Sequence, residues 1–448
     1  MKLLKIHVHE YRCLKDVFIN FEQDLRPQIF PIGGENGSGK STLLQLIFTL
    51  LHCSLVPDRR EFLNNAIKHI NSPHERRESL RHDIATIELS HQNKQTEFNF
   101  FLAPLNDSEA GKLMKELTDK REKYRAILQK ALSLSTVLEL EHIRNVKNPL
   151  EFLLPLLKSE VDRQSHEKAA EESGRLKKEI ESLEKQVSQD SEASESLLLS
   201  VAEFSDEDYG LFCQASCDHR SAKEVLACAG NHIFLAGQST QPYIFLTDNA
   251  IQELFSPEGN YENSLKDAGN SLPNFYNCNP FSVLKILEAL RDARDKDFQQ
   301  VDKTGTYGNA YNSLTKELRN LLGNEKYISV TPQLDAIIVR HKRDEKFSLD
   351  LGPGDLSHGE LKRLSLYSWI KHRKIADSVV LIDEIENGLH PDWQYGIVRE
   401  LASWGDNQYL LGTHSFYLCE ALTPRHVKEL EPGLRYSAAK REENVAEA

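Results

Sequence analysis

The chain has 448 residues, of which 40% are hydrophobic and 27% are charged, and its formal net charge is −13. This length and composition allow a large buried core and predict roughly three domains. The negative charge argues against a surface coated for non-specific nucleic-acid binding, and leaves room only for a local basic groove. The sequence contains no apolar stretch of membrane-spanning length and no signal-peptide pattern, and its seven cysteines are scattered. We therefore expect a reduced, cytoplasmic setting without membrane contact.

The N-terminal segment contains a glycine-rich loop between a predicted strand and a predicted helix. LKIHVHEY and VFINFE alternate apolar and polar residues as strands do, and PQIFPI leads into GGENGSGKST and a helical pattern over 41–52. The order strand, Gly34-x-x-x-x-Gly39-Lys40-Ser41, helix is that of a phosphate-binding loop. The alternative is an ordinary turn between a strand and a helix. Such a turn does not need the two glycines, the lysine and the serine of this motif all together.

Such a loop points successive backbone N–H groups into one concavity, and the helix N-terminus adds partial positive charge. Lys40 is expected to reach the β- and γ-phosphates, and the Ser41 hydroxyl to ligate Mg²⁺. The sequence therefore predicts binding of ATP with Mg²⁺. The candidate nucleotide-binding residues are Gly34, Glu35, Asn36, Gly37, Ser38, Gly39, Lys40, Ser41 and Thr42.

The segment after the first strands changes in composition. DIATIELSHQNKQTEFNFFLA predicts a β-hairpin that turns at HQNK, and from Asn106 to about Val201 the chain is rich in Glu, Lys, Leu, Ser and Ala. Apolar residues recur at helical spacing from Leu113 to Leu138, with Lys120 interrupting the stripe, and again from Leu176 to Val187. Two prolines between the series predict an antiparallel helical hairpin. This hairpin either packs on the remaining protein as a subdomain or protrudes as an arm.

The C-terminal part supplies a second set of polar residues at the ends of buried strands. The apolar run in SVVLIDE predicts a parallel strand that ends in Asp383 and Glu384. Asp383 is expected to hold Mg²⁺, and Glu384 to act as general base on the attacking water. The strand in QYLLGTHS ends in His414, which is expected to hold the γ-phosphate and the water in line.

LSHGE, residues 356–360, opens a predicted helix shortly before that strand. Ser357 and Glu360 stand at capping-box positions, so a good helix start is one explanation. A helix N-terminus with a serine and a close-approach glycine, Gly359, is also an anion site.

Together, GGENGSGKST, LSHGE, VVLIDE and GTHS resemble the ABC-type ATPase heads of the RecF/SMC and OLD-like families. The resemblance implies an α/β fold, a P-loop ABC-ATPase head with a mixed sheet, flanking helices and an inserted helical hairpin. It implies that Ser357 and Gly359 complete the γ-phosphate site of a second copy in a head-to-tail dimer. It also implies that Arg12 in EYRCLKD lies near the nucleotide, and that Gln238 or Gln241 serves as the Q-loop glutamine.

The resemblance divides the chain into four segments. These are the N-terminal half of the head (1–105), the inserted helical hairpin (106–203), a mixed, poorly patterned region with helices (204–325), and the C-terminal half of the head (326–448).

Heads of this type occur in bacterial anti-phage systems, including Septu-like and PARIS-like ATPases that work with a separate nuclease. IENGLHP after Glu384 resembles the OLD-like form, in which a Toprim nuclease follows the head. Because the chain ends about 30 residues beyond His414, any nuclease of the system is expected on a partner chain. The alternative is a RecF- or SMC-like DNA-repair ATPase that binds DNA directly, with RHKRDEK and LKRLS lining a local groove. A transporter ATPase is disfavoured by the LHP form and the large insert.

Overall fold

The computed structural model describes residues 1–67, 81–104, 171–180, 182–183, 196–204, 207–238, 271–278, 282–323, 326–331, 333, 335–344 and 347–430, with isolated residues between 116 and 127. The chain divides into two compact units. The head unit comprises 1–77, 84–97 and 224–448, and the insert unit comprises 78–83 and 98–223.

The strands follow one another along the chain as β1 (Lys2–Tyr11), β2 (Leu14–Asn20), β3 (Ile29–Gly33), β4 (His82–His91), β5 (Lys94–Pro104), β6 (Ser196–Phe204), β7 (Glu207–Ala215), β8 (Ile233–Gln238), β9 (Phe275–Cys278), β10 (Lys326–Val330), β11 (Ile337–Asp344), β12 (Phe347–Leu351), β13 (Val379–Asp383), β14 (Gln408–Gly412) and β15 (Lys428–Glu429). The helices are α1 (Lys40–Cys53), α2 (Arg60–Ile67), α3 (His219–His232), α4 (Ser282–Thr304), α5 (Ala310–Leu321), α6 (His358–His372), α7 (Pro391–Ser403) and α8 (Phe416–Glu420).

A parallel sheet forms the centre of the head unit, with strand order β15-β3-β14-β13-β8-β9. All five residues of β13 are buried, as are those of β14, because helices cover both faces of a sheet of this kind. Since β14 lies between β3 and β13, the carboxyl ends of these three strands meet at one edge. Ligands of open parallel sheets bind at this edge.

Helices on the two faces of the sheet bury different sets of apolar residues. α1 packs against β8, β13 and β14. On the other side, α4, α5, α6 and α7 contribute to one core with the sheet, in which Trp369 stacks on Tyr276 with ring centroids 5.0 Å apart. The strands β10, β11 and β12 form a separate antiparallel sheet, and α5 packs against β10.

At the N-terminus of the head unit, β1 pairs antiparallel with both β2 and β4. The tight turn between β1 and β2 contains Arg12, whose φ of 54° lies in the left-handed region. The predicted hairpin is also present, because β4 and β5 are neighbours in one sheet and turn at Gln92 and Asn93, which both have positive φ.

The insert unit contains strands where the sequence predicts helix. β7 pairs antiparallel with β5 on one side and with β6 on the other. The predicted helical segment 106–203 is therefore wrong at its end, since Ser196–Phe204 is strand β6. The reason is tertiary: SLLLSVAEF has no clear period of its own, and pairing with β7 decides its conformation.

Little of the predicted helical hairpin falls within the described residues. Residues 171–180 are helical, and Lys120 Nζ lies 3.0 Å from Oε1 of Glu116 and 3.0 Å from Oε2 of Glu179. Lys120, which interrupts the first apolar stripe, thus joins the two predicted helical series at one point. The rest of the hairpin lies outside the described residues and stays a prediction.

Candidate nucleotide site

The loop between β3 and α1 has a backbone that glycine makes possible. Gly39 has a φ of 97°, and a Cβ there would lie 2.6 Å from Leu14 Cδ2. At Gly34 a Cβ would lie 2.6 Å from the backbone oxygen of Leu430 and 2.7 Å from Ser38 Oγ. Side chains at these two positions would collide with the surrounding protein, so both must be glycine for the loop to keep this shape. Glu35, Asn36 and Gly37 form its exposed crest.

Lys40 is buried, and its ammonium group lies beneath the loop. Nζ donates to the backbone oxygens of Gly34 at 2.8 Å and Glu35 at 2.9 Å, and to Ser38 Oγ at 3.4 Å. Burial lowers the pKa of Lys40, and the carboxylates of Asp383, Glu386 and Glu384 oppose that shift, in decreasing order. The ammonium group is thus placed at the loop with three carboxylates within electrostatic range.

The N-terminus of α1 has no side-chain cap. Its N-cap is Gly39, and no side chain there accepts a hydrogen bond from the first turn. The half-buried Ser41 and Thr42 occupy that first turn. Uncapped N–H groups and the helix dipole together make this end a binding site for an anion such as phosphate.

Asp383 ends β13 opposite the first turn of α1. Its carboxylate accepts a hydrogen bond from the Ser41 hydroxyl, whereas Oδ1 is buried and has no hydrogen-bond partner among the residues that the structure describes. Burial raises the pKa of Asp383 to about 6, and the charges of Glu384 and Glu386 add to this effect. Gly412 leaves room for the carboxylate, because a Cβ there would lie 2.8 Å from Oδ1.

The donor set at this edge fits a hydrated Mg²⁺ ion. A hydroxyl and a buried carboxylate with an unsatisfied oxygen are hard oxygen ligands, and a cation would restore the balance of charge around Asp383. Ser41 and Asp383, the two predicted metal-binding residues, are thus brought together as expected.

Glu384 is held in a strained conformation by three groups. Its φ is 45°, which is unusual for a residue with a side chain. Its N–H donates to the backbone oxygen of Gly412 at 2.8 Å, and its own backbone oxygen accepts from Lys362 Nζ at 2.5 Å. Oε2 of its carboxylate accepts from Asn387 Nδ2 at 2.6 Å. The surroundings therefore determine where this carboxylate points, as a general base requires.

His414 lies at the carboxyl end of β14, where the sequence predicts it. The residue is exposed, and its backbone N–H donates to Glu386 Oε1 at 2.6 Å. The bond joins the end of β14 to the loop after β13. Glu386 and Asn387 are residues that the sequence reasoning did not single out, although both stand in IENGLHP.

The start of α6 carries the predicted signature residues. Ser357 Oγ accepts from the N–H of Glu360 and the Glu360 carboxylate accepts from the N–H of Ser357, so a full capping box is present. Ser357 and His358 are exposed, while Gly359 is buried. A Cβ at Gly359 would lie 2.4 Å from the backbone oxygen of Gly388, so the glycine is required for close packing within one chain.

Glu360 anchors this helix start to β10. Lys326 Nζ lies 2.8 Å from Glu360 Oε1. Burial acts to raise the pKa of Glu360, and the hydrogen bonds from Lys326 and Ser357 outweigh it, so that its pKa is lowered. Among the described residues, no hydrogen bond joins Ser357 or Gly359 to the phosphate-binding loop.

Arg12 lies in the β1–β2 turn, next to the residues that contact the loop. Cys13 Sγ and Leu14 Cδ2 are the atoms that a Cβ on Gly39 would meet. Nε of Arg12 is buried and has no hydrogen-bond partner in the described part of the chain, and its guanidinium carbon lies 5.4 Å from the Tyr11 ring centroid. Its role toward a nucleotide stays a prediction.

Two further expectations have different outcomes. Gln238 ends β8, the neighbour of β13, whereas Gln241 lies outside the described residues.

LKRLS does not line a DNA-facing groove, because both of its cations are buried. Lys362 donates to the backbone oxygen of Glu384. Arg363 pairs with Glu400 and lies over the Trp393 ring. Basic residues on a helix are usually solvated, but here buried carbonyl and carboxylate oxygens compensate them.

A family model described as AAA ATPase domain matches residues 1–419. The chain belongs to the AAA ATPase domain family. This confirms the predicted α/β ATPase fold. Within the described residues, no helix is both long and apolar enough to cross a membrane.

Two curated proteins are similar to part of this chain. "Retron Vc95 probable ATPase" of Vibrio cholerae is 32% identical over 113 residues, 22% of this chain and 21% of that protein. "Retron Ec83 probable ATPase" of Escherichia coli is 31% identical over 108 residues, 21% of this chain and 20% of that protein. The chain thus matches about a fifth of the length of each relative.

One similar solved structure is the Smc head domain of Pyrococcus furiosus with an extended coiled coil, bound to the C-terminal domain of ScpA. The alignment covers 94% of this chain and 91% of the Smc head chain. The TM-score is 0.34 and the sequence identity is 12%.

Proposed function

We propose that the chain binds ATP with Mg²⁺ at the carboxyl edge of the parallel sheet, hydrolyses it, and uses the cycle as a conformational switch. The observation that carries this proposal is the pairing of a buried Lys40 under the phosphate-binding loop with a buried Asp383 opposite the uncapped start of α1. A buried cation and an unsatisfied buried carboxylate are costly unless a ligand uses them.

Each residue has a defined task in this proposal. Lys40 and the first N–H groups of α1 bind the phosphates, while Ser41 and Asp383 orient the hydrated ion. Mg²⁺ supplies charge neutralisation at the transferring phosphoryl group. Glu384 accepts a proton from the attacking water, and His414 orients that water and the γ-phosphate.

The second part of the proposal concerns a second copy of the chain. Ser357 Oγ caps the exposed start of α6, where its hydroxyl could meet a phosphate brought by another head. Exposure of Ser357 and His358 supports a head-to-tail dimer in which the signature residues act in trans. ATP then favours the closed dimer, because only that state completes the site.

We also propose a biological setting, which is an anti-phage defence system of bacteria. In it, this chain is the ATPase subunit and a separate nuclease or other effector chain is the partner, as in Septu-like or PARIS-like systems. The similarity to two proteins named as retron ATPases supports this setting, although it covers only about a fifth of each. The alternative setting is DNA repair, in which the chain is a RecF- or SMC-like ATPase. Direct DNA binding without a partner nuclease would favour this alternative over the defence setting.

Two variants test the chemistry. Lys40→Ala should abolish nucleotide binding and turnover, whereas Glu384→Gln should bind ATP normally and lose about 10²- to 10⁴-fold in hydrolysis rate, the scale of general-base catalysis. Lys371→Ala, on the solvent-exposed side of α6, is the matched control and should behave as the native protein. Native-like hydrolysis by Glu384→Gln would show that the base assignment is wrong.

A deletion tests the partner. Replacing 113–187 by a short Gly-Ser linker should leave ATP binding intact and abolish capture of the protein encoded next to this gene. Loss of ATP binding with retained capture would assign the segment to the head instead. A neighbouring permease or replication gene, in place of a nuclease, would argue against the defence setting.

A further inference from the structure

Glu386 has two carboxylate oxygens in different situations. Oε1 accepts the backbone N–H of His414 at 2.6 Å. Oε2 is buried and has no hydrogen-bond partner among the described residues. A buried carboxylate oxygen without a donor is unfavourable, so such an atom at the edge of a binding site indicates a group that arrives with the ligand.

Glu386 lies close to the two buried charged groups of the candidate phosphate site. The residue stands three positions after Asp383, whose Oδ1 is the other buried carboxylate oxygen here that lacks a partner in the described part of the chain. The charge of Glu386 acts on both Asp383 and Lys40, and on Lys40 more strongly than the charge of Glu384 does. Glu386 therefore lies within electrostatic range of both the loop lysine and the carboxylate at the end of β13.

One property of the protein and one property of Mg²⁺ decide how Glu386 can contact the ion. Among the described residues, no group of three or more His, Cys, Asp or Glu side chains could hold a metal ion directly. Mg²⁺ retains several waters when it binds next to phosphates, and those waters donate hydrogen bonds to nearby carboxylates. An acceptor such as Oε2 suits one of these waters.

We propose that Glu386 is a further Mg²⁺–ATP-binding residue, whose Oε2 accepts a hydrogen bond from a water of the ion while Oε1 holds the backbone of His414. This inference rests on the proposed ATP binding. It assigns to Glu386 a task distinct from that of Glu384, whose carboxylate is bonded to Asn387.

Glu386→Gln separates the two oxygens. Glutamine keeps a carbonyl oxygen for the His414 N–H and replaces the second oxygen by a donor, which repels the water proton that Oε2 accepts. We would titrate Mg²⁺ into the full-length protein with mant-ATP and measure fluorescence, with EDTA as the metal-free reference. The native protein, Lys371→Ala and Glu386→Asp are measured in parallel, and thermal unfolding checks that each variant is folded.

The expected result is that Glu386→Gln needs about 10-fold more Mg²⁺ to tighten mant-ATP binding, the usual scale for a lost ligand-orienting contact. Its affinity in EDTA should not fall below the native value, and Lys371→Ala, exposed on α6, should show the native Mg²⁺ midpoint. Glu386→Asp, which keeps the charge with a shorter reach, should fall between the two.

Two results would overturn the inference. A native Mg²⁺ midpoint for Glu386→Gln would leave Oε2 without a part in ion binding. Weakened binding already in EDTA would make Glu386 a residue of the loop structure. If the native protein binds no mant-ATP at all, both the proposed function and this inference are wrong. That result is distinguishable from the other two, because in those the native protein binds mant-ATP and only the variant differs from expectation.

Discussion

Two helices of the head unit begin at candidate phosphate-binding positions, and they begin differently. α1 starts after Gly39, a left-handed residue without a side chain, and its first turn has no side-chain cap. α6 starts after Ser357, whose hydroxyl and the Glu360 carboxylate complete a capping box. Both stretches contain a glycine beside a hydroxyl residue, so their local sequences look equally suited to bind an anion.

The difference between them indicates two different tasks. The donors of α1 remain available to a ligand, and nearby carboxylates surround Lys40. The start of α6 satisfies itself, and Lys326 anchors it. A helix start that is complete without a ligand can serve as a preformed surface for a second molecule, whereas the first turn of α1 lacks partners that a bound phosphate could supply.

The largest expected effect tests whether the two helix starts act on one nucleotide from separate copies. Lys40→Ala should abolish ATP turnover, and Ser357→Arg should lose about 10²- to 10³-fold, as expected for loss of a group that stabilises developing charge. Mixing the two dead variants should restore part of the activity, because one site of the mixed dimer is intact. No recovery in mixtures that demonstrably form heterodimers would place Ser357 outside the site.

The second prediction concerns His52, in the last turn of α1. Burial, with a smaller effect of Arg59, lowers the pKa of His52 to about 4, and Nδ1 lies 2.6 Å from the backbone oxygen of Gly230. The neutral form is favoured in the folded state, so this contribution is complete above pH 6.5 and is lost as pH falls toward 4. The loss amounts to about 3 kcal/mol.

Urea unfolding at pH 7 and at pH 4.5 measures this effect. His52→Gln keeps a donor for Gly230 and cannot become charged, so its stability should fall less than that of the native protein between the two pH values. His390→Gln, an exposed histidine at the start of α7, is the control. Equal acid sensitivity of native protein and His52→Gln would contradict the prediction.

The third prediction tests the link from α6 to Glu384, the proposed general base. Lys362→Met removes the ammonium group that binds the backbone oxygen of Glu384 and leaves the aliphatic stem in place. We expect kcat to fall about 10- to 100-fold, because a displaced carboxylate no longer meets the water in line, while ATP affinity is retained. Lys371→Met, exposed on the same helix, should have native kcat. An unchanged kcat for Lys362→Met would mean that this contact does not orient Glu384.

The smallest expected effect measures the cap itself. Ser357→Ala should lower the free energy of unfolding by about 1 kcal/mol, since the N–H of Glu360 loses its acceptor. Ser403→Ala, near the end of α7, removes a hydroxyl of similar exposure without a cap and should change stability less. If turnover stays native while stability falls, Ser357 is a cap and has no part in ATP hydrolysis.

Prediction from sequence succeeds best where a motif needs both a residue type and a structural context. The phosphate-binding loop, the buried strand that ends at Asp383, and the position of His414 are all visible in the sequence, because strand, turn and helix signals agree there. It fails at β6, whose apolar run has no clear period, and at LKRLS, whose charges suggest a solvated surface. In both cases contacts distant in sequence override the local signal.

The sequence by itself predicted an α/β ATPase fold, the phosphate-binding loop and two of the carboxylates, Asp383 and Glu384, since their spacing follows from local backbone geometry. Only the tertiary structure decided which atoms of those residues are satisfied. Glu386 differs from Glu384 because β14 brings the N–H of His414 to one and α6 brings Lys362 to the backbone of the other. Such differences arise because the carboxyl ends of parallel strands lie at one edge of the sheet. A local sequence pattern does not predict which residues of different strands come together there.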